Sequence, residues 1–164
     1  MRPGAPADTS AAALKLLNQG VAPESVFDAL FDSAGELLMQ APGILSLHAM
    51  TFTNAIHYAW HHVQSDETRR LLLLQNAAFL PLYRGDRADK GIHIDTLEPS
   101  SPEAKGEEAV AEIFADIGKD RLVAARKELG YPQGQNNAQP IADAARRLVF
   151  LKGTNSHDYK FSSA

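Results

Sequence analysis

The stretch Gly43–Val63, GILSLHAMTFTNAIHYAWHHV, constrains this chain more than any other. It is the longest nearly uninterrupted apolar run, contains no Asp, Glu, Lys or Arg, and holds His48, His57, His61 and His62. Its length approaches the ~20 residues of a membrane span. Four histidines with Ser46, Thr51, Thr53 and Asn54 make it too polar for lipid. The expectation is therefore a buried central helix over about residues 44–63, with the rest of the chain packed around it and no membrane partner.

The flanking sequence repeats helical punctuation. Residues 1–7, MRPGAPA, are rich in Pro and Gly and are expected to be disordered. Asp8, Thr9 and Ser10 offer N-caps for a short helix with Leu14, Leu16 and Leu17 on its apolar side, closed by Gly20. Pro23 and Glu24 open a second helix. There Val26, Phe27, Leu30, Phe31, Ala34, Leu37 and Leu38 recur at helical spacing, while Asp28, Asp32 and Glu36 read as a solvated acidic stripe. Ser65 and Asp66 cap a fourth helix whose run of four leucines must be covered on much of its circumference, with Pro81 expected to end or kink it near Leu80.

Residues 85–100 form one long irregular stretch, in which Ile92, His93 and Ile94 suit a short extended segment. Ser101 and Pro102 are expected to restart a helix running to Gly118, followed by a helix from Lys119 capped at Gly130 and another from Pro140 to Leu151. Ser156 reads as the N-cap of one more helix, abandoned after a turn, so the chain is expected to be a fragment truncated at its C-terminus. No strand pattern and no internal repeat emerge. The prediction is an all-α fold, a multi-helix bundle or irregular helical array, with residues 8–164 as one domain.

Composition bounds the chemistry. A net charge of −4 with scattered basic residues argues against nucleic acid. The absence of cysteine excludes disulfides, thiolate metal sites and cysteine nucleophiles, and fits a reducing, cytoplasmic setting. MRPGAPADTS has no apolar secretory core. No GxGxxG, GxxxxGK[ST] or GxSxG is present. A homo-oligomer and a small-molecule ligand both stay open.

The histidines carry what remains. His57 and His61 are four apart, so their rings project from one side of a helix and form half of a metal site. No HExxH accompanies them, and His48 lies on the opposite side. Ordinary hydrogen-bonded histidines are the plainer reading. At the C-terminus, His157, Asp158, Tyr159 and Lys160 crowd a helix start; proton transfer and simple capping both suit such a cluster.

LHAMTFTNAIHYAW followed by DETRRLLLLQNAAFLPLYR resembles a histidine-bearing helix and its partner in a group of bacterial proteins distantly similar to the questin oxidase-like family. The closing SHDYKFSSA is similar to a His-x-x-Lys helix start there. The likeness covers about residues 43–84 and 153–164. It implies an all-helical oxidoreductase, monooxygenase-like, acting on an aromatic or polycyclic ketone with NADPH as cofactor, and it singles out His48, His157 and Lys160. Three readings therefore compete: that enzyme, a non-catalytic helical domain binding a small apolar ligand or protein partner, and a metal or haem binder using His57 and His61.

Overall fold

The computed structural model describes residues 4–87, 89–135, 137–156, 158 and 159. Among these the chain is all-α, with seven helices and no strand. They are α1 (Pro6–Asn18), α2 (Pro23–Gln40), α3 (Ile44–His62), α4 (Asp66–Arg84), α5 (Glu107–Ile117), α6 (Arg121–Gln135) and α7 (Gln139–Lys152), with a 3-10 turn at Ile94–Thr96. Where one domain was expected, the contacts gather into two compact units, one up to Ile94 and one from Asp95.

In the first unit, helical spacing on α2 places Val26, Phe27, Leu30 and Ala34 in the core as expected. They pack with Leu73, Ala77 and Leu80 of α4, Ala49 of α3 and Ala13 of α1. The helix at the centre is α4, which packs against α1, α2 and α3. The buried-helix expectation for Gly43–Val63 is corrected here. Only Ser46, Ala49 and Thr53 of α3 are buried, while Ile44, Leu45 and Tyr58 are exposed. Small side chains line the closest part of the contact, where they let the helix backbones approach, and Met50, Ile56 and Trp60 pack against the core from its edge.

Two further expectations change for a shared reason. Helix α1 begins at Pro6, inside the stretch expected to be disordered, and Thr9 is a buried core residue instead of a cap. Helix α4 continues past Pro81 to Arg84. A proline has no N–H, so the carbonyl four residues back loses its helical donor. That carbonyl belongs to Ala77, and the Thr9 hydroxyl donates to it at 2.7 Å. The buried side of α1 is consequently Thr9 and Ala13, with Leu14 and Leu16 exposed.

In the second unit, Ala109, Val110 and Ile113 of α5 pack with Tyr131 of α6 and Ile141 of α7. Helix α5 starts at Glu107, not at Ser101–Pro102, because the amides of Glu103 and Ala104 donate to the Glu112 carboxylate at 3.2 and 2.9 Å and fold that segment back. Gly130 does not cap α6, which runs on through Pro132. A Cβ at Gly130 would lie 2.1 Å from the Ser100 carbonyl oxygen, so the glycine exists to admit the 95–106 segment. The Ser100 amide donates to the Arg126 carbonyl at 2.9 Å beside it. After α7, Asn155 rather than Ser156 caps the next turn: its side chain accepts from the Asp158 amide, and the Asp158 carboxylate accepts from the Asn155 amide.

Candidate functional site

Helix α3 brings His57 and His61 together as the i, i+4 spacing predicts, with their Nε2 atoms 3.0 Å apart. His57 is half-buried, its ring centroid 4.8 Å from that of Phe27 and 5.5 Å from that of Phe31, both on α2. His61 is exposed and lies edge-on to Trp60 at 4.8 Å. Burial, and then the charge of His61, hold the His57 imidazole below its usual range, against an opposing pull from Asp28 and Glu24. His62 turns elsewhere, its Nδ1 donating to the Tyr58 carbonyl at 2.7 Å.

His48 sits on the same helix, nine residues before His57 and on its other side, which separates them by about 13 Å along the axis. The two do not share a site. His157 and Lys160 lie outside the described residues.

The clearest polar cluster was not anticipated. Glu36, expected on a solvated stripe, is only 6% exposed. Its carboxylate accepts the Ile94 amide at 2.9 Å and lies 3.5 Å from His93 Nδ1, while His93 Nε2 lies 3.3 Å from Asp89. Gln40, one helical turn further, donates to the Ile92 carbonyl at 2.8 Å. The His93 segment is therefore a loop laced to α2, and Ile94 enters a 3-10 turn instead of a strand. The two ring nitrogens of His93 lie beside the carboxylates of Glu36 and Asp89, so the side chain sits between α2 and its own loop. Sequence spacing cannot show this, since Gln40 and Ile92 are 52 positions apart; the one available signal was the unusual length of the loop.

In the second unit an open, mainly apolar groove of about 1500 Å³ runs between α5 and α7. Val110, Phe114 and Ile117 line one side and Ala144, Leu148 and Leu151 the other. Away from the groove, Lys127 of α6 bonds to Glu112 and Asp116 of α5 at 2.5 and 2.6 Å. The Lys127 ammonium and the Ala104 and Glu103 amides pull the Glu112 carboxyl down to about 2, and Lys127 is raised by the same bonds.

No protein-family model, curated protein or solved structure matches this chain. Among the described residues, no helix is long and apolar enough to cross a membrane, and no three His, Asp or Glu side chains are grouped to hold a metal ion.

Proposed function

We propose that this is a non-catalytic helical binding domain whose α5–α7 groove receives the apolar face of a helix from a protein partner. The groove itself carries this reading. Enclosed small-molecule pockets hold about 300–1,000 Å³ and surround their ligand; this one is larger, at about 1500 Å³, and open to solvent. Helix α7 spans about 21 Å at 1.5 Å per residue, which matches four turns of a docked helix. The placement of the histidines supports the same reading. His57 pairs with His61, His62 with a carbonyl and His93 with carboxylates, a pattern of separate local partners instead of one reactive cavity.

The test is fluorescence polarisation with a labelled 14-residue Leu/Glu amphipathic peptide, run beside the apolar dye ANS. Peptide binding that displaces ANS and is lost in Leu151→Glu supports the proposal. ANS binding without peptide binding points to a small apolar ligand instead. Neither binding, or NADPH consumption with an anthraquinone substrate, as the questin oxidase-like resemblance implies, would count against it.

A further inference from the structure

The first unit offers a different chemistry at the end of α3. Two imidazole nitrogens that each bind one ion at ~2.05 Å and lie 3.0 Å apart subtend about 94° at the metal. A tetrahedral ion would need the nitrogens roughly 3.3 Å apart, whereas a right angle suits tetragonal or square-planar coordination, the preference of Cu2+ and Ni2+. We propose that His57 and His61 form a two-histidine chelating site for a divalent ion of this type, with water completing its coordination.

Two observations stand behind the geometry. The His57 ring is held by Phe27 and Phe31, so one ligand is fixed before an ion arrives. Glu24 and Asp28 of α2 place negative charge near His57. The ion would replace the contact that the two nitrogens now make with each other. As no third side-chain ligand is grouped with them among the described residues, the site is an open one that exchanges its ion freely.

The chain supplies its own reporter. Trp60 is its only tryptophan, with its ring 4.8 Å from His61 and 6.4 Å from His57. Cu2+ or Ni2+ titrated into the purified chain should quench Trp60 fluorescence with saturation at one equivalent, reversed by EDTA. In His61→Ala, an exposed position that leaves the fold intact by circular dichroism, the apparent affinity should fall by roughly tenfold or more, because the second ligation is intramolecular. His62→Ala, one residue away with its ring turned to Tyr58, should bind as the wild type does. Absent quenching, or quenching equally strong in His61→Ala, would overturn the proposal.

Discussion

The two units are made of similar helices and close their interiors differently. In the first, Phe27, Leu30, Leu73 and Leu80 are fully buried, and polar side chains are inserted where the packing would strand a backbone group. Thr9 serves the carbonyl orphaned by Pro81, and Glu36 serves the Ile94 amide. In the second, Ile113 is the one large side chain sealed to that degree among the described residues. Its strongest polar contacts, Lys127 with Glu112 and Asp116, lie at the side of the helices. Phe150 and Leu151 stay 77% and 71% exposed. The first unit exposes large apolar side chains as well, Leu45, Tyr58, Leu71 and Leu82 among them, around an interior that is more completely sealed. On the proposed reading, the apolar face open between α5 and α7 is the one that a partner helix covers.

The contrast can be broken by mutation, and the largest effect is expected where packing is complete. Leu80→Ala should destabilise the first unit by about 2–5 kcal/mol in urea unfolding. Leu151→Ala should change the second by no more than about 0.5 kcal/mol. Equal costs would abolish the distinction. Next comes Gly130→Ala, whose new methyl meets the Ser100 carbonyl; a loss of about 1–3 kcal/mol confined to the second unit is expected. Thr9→Val keeps the shape but removes the donor to Ala77, leaving a buried carbonyl unpaired at a cost of about 1–3 kcal/mol. If Thr9→Val is neutral, the account of how α4 passes Pro81 is wrong.

A smaller effect concerns pH. Glu112 is depressed to about 2 from an ordinary 4.5, so its contribution is complete above about 4.5 and fades as pH falls towards 2. Unfolding of the second unit should shift with acid over that window, and Glu112→Gln should flatten the shift. The first unit should show no Glu112-dependent change.

How much was legible in the sequence follows from what each signal measures. Apolar periodicity located α2, and Pro23 and Pro140 marked helix starts, because these features act within a few residues. Gly130 and Pro81 were misread for a common reason: both normally stop helices, and both are tolerated here through a partner distant in sequence, Ser100 in one case and Thr9 in the other. Glu36 looked solvated because its neighbours Asp28 and Asp32 are; its burial depends on the loop at Ile94 folding back over α2. The His57–His61 approach was readable, being a property of one helix. The groove was not, because hydrophobicity on α5 and α7 looks the same whether or not another helix covers it.

Residue-resolved mapping of ANS binding by two-dimensional amide NMR tests the central claim most directly. The account predicts chemical-shift changes concentrated at Val110, Phe114, Leu148 and Leu151, with α2 and α4 undisturbed. Changes centred on α2–α4, or no binding at all, would contradict it.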